Sequence, residues 1–282
     1  MTYPTKPALS KSIAEHKSLW DGLVWLYLPG HNDDADIISG DVLARNQTTT
    51  IDTTTYQEGT AEIYNLAYRI GTATPLEGTT EHTLVHYFRH IGNTSTQDRG
   101  TFGTASSITW ANVSQNIIRR GSGIFGFPPN SSRHMFRRNG SSVVAETTDA
   151  TPLDTTQIWI SGRRGSDGKV FVARNDNGQN WSADGLTGSL SNTEPVIIGS
   201  YLNHGTRRAP MAFFWGGIWD RELTTAEQST LFSDPYAVFR VSEEPFLLRH
   251  NPRTNKVIPV LSSPTVTDIG ANCVRPRVTK GY

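Results

Sequence analysis

An all-β fold, with two antiparallel sheets packed as a jelly-roll sandwich, is what this sequence predicts. It adds one short C-terminal helix and extended N- and C-terminal arms. Three observations carry the prediction. Long helical periodicity is missing. Short runs of β-branched and aromatic residues alternate with clusters of Thr, Ser, Gly and Asn. Asn139-Gly140, Asp167-Gly168 and Asn177-Gly178 stand between or just after such runs, and these dipeptides accept the positive φ of tight hairpin turns.

The runs that read as strands are residues 22–29, 60–70, 82–91, 106–113, 123–127, 134–138, 142–148, 156–164, 169–175, 194–201 and 211–219. About ten short strands with frequent hairpins suit a sandwich or jelly roll. After the last run, Thr224-Thr225-Ala226-Glu227 forms a capping box, in which the Thr224 hydroxyl accepts the Glu227 N–H and the Glu227 carboxylate reaches back. Ala226, Leu231 and Phe232 offer an apolar stripe, and Pro235 stops the helix.

The organisation is an N-terminal arm at 1–18, a sandwich at 19–240 and an extended arm at 241–282. The last segment carries five prolines, which forbid a helix and disfavour central strands. Yet Phe246, Leu247, Leu248, Val257 and Ile258 are too apolar for a solvated tail. With Arg275 and Arg277 near the tip, the segment reads as an assembly arm that docks on a neighbouring subunit.

Lys+Arg and Asp+Glu are both 26, a balance that argues against a general nucleic-acid binder. The one cysteine, Cys273, excludes an internal disulfide framework. No run approaches the ~20 apolar residues of a membrane span. The first twenty residues hold no continuous apolar stretch of the secretory type, so synthesis in a cytoplasm without a signal peptide is expected.

Several motifs together resemble a family. Gly22-Leu23-Val24 leads through a short loop to Asp36-Ile37-Ile38-Ser39-Gly40. Residues 159–178 form a strand, an Asp-Gly turn and a returning strand. The stretch from Gly217 to Leu231 is followed by Pro235-Tyr236 and Phe239-Arg240. In this order they resemble the concanavalin A-like, laminin-G-like jelly rolls found in phage genomes, over roughly Leu19 to Arg240. The resemblance implies a two-sheet sandwich whose members are often carbohydrate binders or virion components, and only sometimes enzymes. Fold alone is a weak functional warrant.

Enzymatic relatives on this fold carry paired carboxylates on one strand as Glu-x-Asp-x-x-Glu, and that spacing is missing here. Glu243-Glu244, and Glu146 with Asp149, place their carboxylates on opposite faces of a strand. Laminin-G-like modules often hold a calcium at the rim. Asp176 and Asn177 are the candidate ligands, and Asp33, Asp34 and Asp36 offer similar oxygen chemistry, with turn formation preferred to metal binding. Otherwise no cofactor is expected. His82, His86 and His90 line one face of a strand, about 13 Å apart for each four residues, too far to share a metal; a half-buried sheet face is the favoured reading. Candidate glycan contacts are Trp181, placed between turn signals, and the basic loop residues Asn203, His204, Arg207 and Arg208. Core packing of Trp181 at the loop base is preferred to sugar stacking.

The reading these residues support is a non-enzymatic structural protein of a phage virion, a capsid decoration or head or tail fibre component. Its expected partners are other virion proteins and further copies of itself, without nucleic acid or membrane insertion. The alternative is a carbohydrate-binding module for host-surface glycan. A glycan hydrolase ranks last.

Overall fold

The computed structural model describes residues 15–30, 34–45, 51–64, 67–91, 99–105, 112–119, 131–139, 141–147, 154–175, 178–190, 194–200, 208–240, 247–251 and 256–260. In chain order the strands begin with β1 (Leu23–Tyr27), β2 (Ala44–Arg45), β3 (Asp52–Tyr56), β4 (Gly59–Tyr64), β5 (Arg69–Ile70) and β6 (His82–His90). They continue with β7 (Arg99–Thr104), β8 (Asn112–Arg119), β9 (Ser131–Arg138), β10 (Ser141–Thr147), β11 (Thr156–Arg163) and β12 (Lys169–Arg174). The last are β13 (Gln179–Gly185), β14 (Val196–Ile198), β15 (Met211–Trp219), β16 (Leu247–Asn251) and β17 (Lys256–Val260). One α-helix, α1 (Thr225–Ser233), and 3-10 turns at Lys17–Trp20 and Ala237–Phe239 accompany them.

The chain divides into two compact units, residues 1–241 and 242–282. The first is the predicted sandwich. One sheet runs β13-β12-β11-β6-β15-β4-β3, with β1 sharing the free edge of β15; the other runs β10-β9-β8-β7-β14-β5-β2. Every named strand pair is antiparallel. The hairpin signals fall where expected. Asn139 turns β9 into β10 at φ 48°, Gly168 closes the β11–β12 turn at φ 69° and Gly178 leads into β13 at φ 77°.

Three expectations need correction. The run at 60–70 is two strands, β4 in one sheet and β5 in the other. The run at 194–201 keeps only β14. Of the expected strand at 106–113, Asn112 and Val113 fall in β8, while residues 106–111 and the run at 123–127 lie outside the described residues. On α1 the buried face is Glu227, Gln228 and Leu231, with Phe232 half-buried, while Ala226 is exposed. The helix thus docks through two satisfied polar side chains beside one leucine.

The apolar residues form two layers around the eight-stranded sheet. Between the sheets, Trp25, Phe88, Phe102, Phe136, Trp159 and Phe213 are buried together. On the far side, Trp215, Trp219, Phe171 and Phe214 pack beneath Leu231, Tyr236, Val238 and Phe239. Strand β15 is buried along its whole length because it faces both layers. Gly216 is required there: a Cβ would come within 2.8 Å of the Phe213 ring and 3.2 Å of Phe102.

A polar seam crosses the inner layer. The His82 Nε2 lies 2.6 Å from Ser114 Oγ, which is 3.4 Å from His134 Nε2. The His134 Nδ1 lies 3.0 Å from Asn116 Oδ1, which also accepts from Ser161 Oγ at 2.6 Å. Asn116 Nδ2 donates to His86 Nδ1 at 3.3 Å. His82, His86 and His90 do line one strand face, but that face is fully buried rather than half-buried. A second polar tie spans the point where the chain changes sheets. Arg69 of β5 forms a buried ion pair with Glu62 of β4, donates to Leu43 O at 3.0 Å and reaches Asp34 at 2.8 Å.

The second unit holds β16 and β17 as a two-stranded antiparallel pair, with Leu247 opposite Val260 and Leu248 opposite Pro259. The arm residues Leu247, Leu248, Val257 and Ile258 therefore stand in a hairpin instead of a single extended run. In a two-stranded pair both strands are edges, which is where a proline such as Pro259 is accommodated. Phe246, Arg275 and Arg277 lie outside the described residues.

Candidate functional site: a cleft beside helix α1

The capping box fixes the start of α1 against β15. Thr224 Oγ1 accepts the Glu227 N–H at 3.3 Å, and Glu227 Oε2 accepts the Thr224 N–H at 2.8 Å. The same carboxylate holds Arg221 through two contacts of 2.7 and 2.8 Å. That guanidinium and the Thr224 donors keep the Glu227 carboxyl below its usual range against the opposing effect of burial. One turn on, Gln228 donates to Leu223 O at 2.8 Å and accepts from Gln179 Nε2 of β13 at 2.9 Å. The helix is therefore stapled at one end to the strand edge.

Past that staple a cleft of about 430 Å³ opens between α1 and β12–β13. Thr225, Ser229 and Ser233 line it from the helix at successive i, i+4 positions, so three hydroxyl-bearing residues follow one helix face. Ala173, Gly178 and Gln179 line it from the sheet, and Phe232 forms an aromatic wall. A second hollow of about 380 Å³ shares Phe232 and Ser233, and adds Tyr87, Thr156, Ile158, Asn175 and Pro235. Asn175 holds its place at φ 52° by accepting the Ile158 N–H at 3.1 Å. The two hollows make a groove of hydroxyls and amides with aromatic rings at Phe232 and Tyr87.

The groove differs from the sequence expectation. Trp181 stands on strand β13, not in a loop. It is half-buried, 5.0 Å from Phe171, with the Arg164 guanidinium 4.3 Å above its ring. Arg164 is itself paired with Asp167 at 2.5 Å, and that pairing holds the Asp167 carboxyl down to about 2. Arg208 belongs to the other outer face. Its backbone bridges Gly100 and Ser200, and its guanidinium lies 6.0 Å from the Tyr68 ring. The structure therefore does not bring Trp181 and Arg208 together. Asn203, His204, Arg207, Asp176 and Asn177 lie outside the described residues. Asp36 caps its own turn, accepting the Ile38, Ser39 and Asp41 N–H groups at 2.8–2.9 Å, the turn role preferred for it above. Among the described residues no three His, Cys, Asp or Glu side chains gather as a metal set.

Sequence reasoning missed Gln179, Gln228, Ser229 and Phe232. The i, i+4 spacing of Thr225, Ser229 and Ser233 was a readable signal, but only the docked helix shows which face it lines.

No protein-family model matches the chain, and no curated protein matches it in sequence. Solved structures do match in fold. The chain is similar to domain 4 of AbnA, an extracellular arabinanase from Geobacillus stearothermophilus, in complex with arabinotriose. That match has a TM-score of 0.55 at 15% identity, covering 74% of this chain and 97% of the domain. It is also similar to the binding domain of Paraclostridial Mosquitocidal Protein 1 (TM-score 0.54, 11% identity, 76% of this chain) and to the botulinum neurotoxin serotype D binding domain (0.53, 10%, 76%). The match covers about half of each toxin chain, 52% in both. At these identities the likeness establishes the β-sandwich fold alone.

Proposed function

We propose that this chain is a carbohydrate-binding module and that the groove beside α1 is its glycan site. The observation that carries the reading is the groove lining: Thr225, Gln228, Ser229 and Ser233 from the helix, Gln179 and Asn175 from the sheet side, and the ring of Phe232 between two adjoining hollows. Sugars present hydroxyls for such donors and acceptors and C–H faces for such a ring. Two hollows sharing one aromatic wall suit a ligand of more than one sugar unit. The fold match to an arabinanase domain in complex with arabinotriose supports the class of ligand. The described lining supplies hydroxyls, amides and an aromatic ring, groups suited to binding, and the proposed role is non-catalytic. A virion setting is compatible with this role and rests on the sequence resemblance, since the structural matches carry no phage-specific observation.

The test is a glycan array followed by calorimetry, run with calcium and with chelator. The reading expects an oligosaccharide hit whose affinity falls at least tenfold, about 1.4 kcal/mol, in Ser229→Tyr, which fills the groove from an exposed position. An array without hits in both conditions contradicts it, as does a hit that Ser229→Tyr binds equally well.

A further inference from the structure

At the other end of β13 from the groove, Arg138 and Arg163 lie close enough to repel each other, with no carboxylate paired to either among the described residues. Arg163 closes β11 with its side chain fully buried. Its guanidinium carbon lies 4.6 Å over the Phe136 ring, and Nη2 donates to Leu186 O. The remaining donors, Nε and Nη1, are buried without a hydrogen-bond partner. Arg138, at the end of β9 in the opposite sheet, donates through Nη1 to the next carbonyl, Thr187 O, at 2.7 Å, and its Nε is likewise buried and unpartnered. Each guanidinium is thus anchored on one of two successive carbonyls. Burial and the charge of Arg138 both push the Arg163 guanidinium below its ordinary range. A buried cation costs several kcal/mol unless it is paired and hydrogen-bonded.

The surrounding backbone is fitted to this pair. The Leu186 N–H donates to Gly168 O at 3.0 Å, which holds the 186–187 carbonyls against the β11–β12 turn. Gly188 adopts φ 98°, and a Cβ there would come within 2.7 Å of the Arg138 guanidinium. Thr187 and Gly188 are exposed, Arg138 is half-buried and Arg163 is fully buried, so the rim opens onto the pair through Arg138.

We propose that Arg138 and Arg163 together bind an oxyanion at this rim, a carboxylate, sulfate or phosphate group. The site is distinct from the α1 groove and does not depend on the glycan reading. Guanidinium groups match the oxygens of all three anions with charge-assisted hydrogen bonds. The anion supplies acceptors for three buried donors and the negative charge that two facing cations require.

The test is thermal unfolding of the full chain in chloride at fixed ionic strength, titrated separately with sodium sulfate, sodium phosphate and sodium glucuronate. An anion bound only by the folded state raises the midpoint in a saturable way. The arms separate an inorganic anion from the acid group of a sugar. The expected result is a saturable rise with at least one anion, and at least a tenfold higher half-saturation in Arg138→Gln. Arg163→Met abolishes the rise if that variant folds; if it does not fold, half-buried Arg138 carries the test alone. Identical midpoints in all salts, or an equal rise in Arg138→Gln, overturns the proposal.

Discussion

Burial holds the imidazoles of His86 and His134 down to about 3 and pushes His82 well below its ordinary range. The hydrogen bonds fit neutral rings. His134 donates from Nδ1 to Asn116 and accepts the Ser114 hydroxyl at Nε2, while Ser114 in turn accepts from His82 Nε2. In the unfolded chain these histidines take up protons near pH 6.5, whereas in the fold they do not. The unfolded state binds more protons between about pH 6.5 and 3, so stability is full above that window and is lost as pH falls through it. Each histidine contributes a slope of about 1.4 kcal/mol per pH unit there. Denaturant midpoints measured from pH 7.5 to 4.5 should fall steeply; in His134→Gln the fall should be shallower by about one proton, and an unchanged slope contradicts the network. Glu62 is the other sensitive position. Glu62→Gln leaves Arg69 buried with Asp34 as its one described carboxylate partner, and a loss of about 3 kcal/mol is expected in chemical denaturation.

At the scale of elements, α1 is where local sequence and tertiary structure agree best. The Thr224–Glu227 box was legible because it is an i, i+3 pattern independent of context. Thr224→Ala should cost about 1 kcal/mol, lowering the melting midpoint by roughly 2–4 °C, and should weaken glycan binding because the same turn positions Gln228 and Ser229. A lowered midpoint with unchanged affinity places the groove's rigidity elsewhere. Hairpins β9–β10 and β11–β12 were legible for the same reason, since Asn139 and Gly168 mark their turns. Strands β3, β7, β8 and β13 were not. Thr53–Thr55, Gly100 and Gly103, and the polar run Ser114–Asn116 lack the apolar alternation of a half-buried strand, and Gln179–Gly185 is bracketed by turn formers. Their strand state comes from ladder partners rather than from their own apolar pattern: β3 with neighbouring β4, β8 with β9 and β13 with β12, and β7 with β14 far along the chain. The run at 60–70 hid a change of sheet, because an apolar pattern records burial and not which sheet supplies it.

For the whole molecule, the fold class was legible and the groove was not. Composition and turn chemistry define a sandwich, but the groove exists only because α1 lies beside β12–β13, and its lining residues come from positions 87 to 235. The two apolar layers around the eight-stranded sheet are built from residues up to Phe239. A chain ended after Arg240 should therefore keep its melting midpoint to within about 2 °C, roughly the effect of 1 kcal/mol or less; unfolding or aggregation of that chain would show that residues 242–282 complete the sandwich core. The central claim is that the groove beside α1 holds a glycan. Amide chemical-shift mapping of the full chain, titrated with arabinotriose and with each oligosaccharide found on the array, tests it most directly. The account predicts shifts centred on Asn175, Gly178, Gln179, Ser229, Phe232 and Ser233; shifts centred instead on Tyr68, Val113 and Ile197 of the other outer face, or none with any sugar, contradict it.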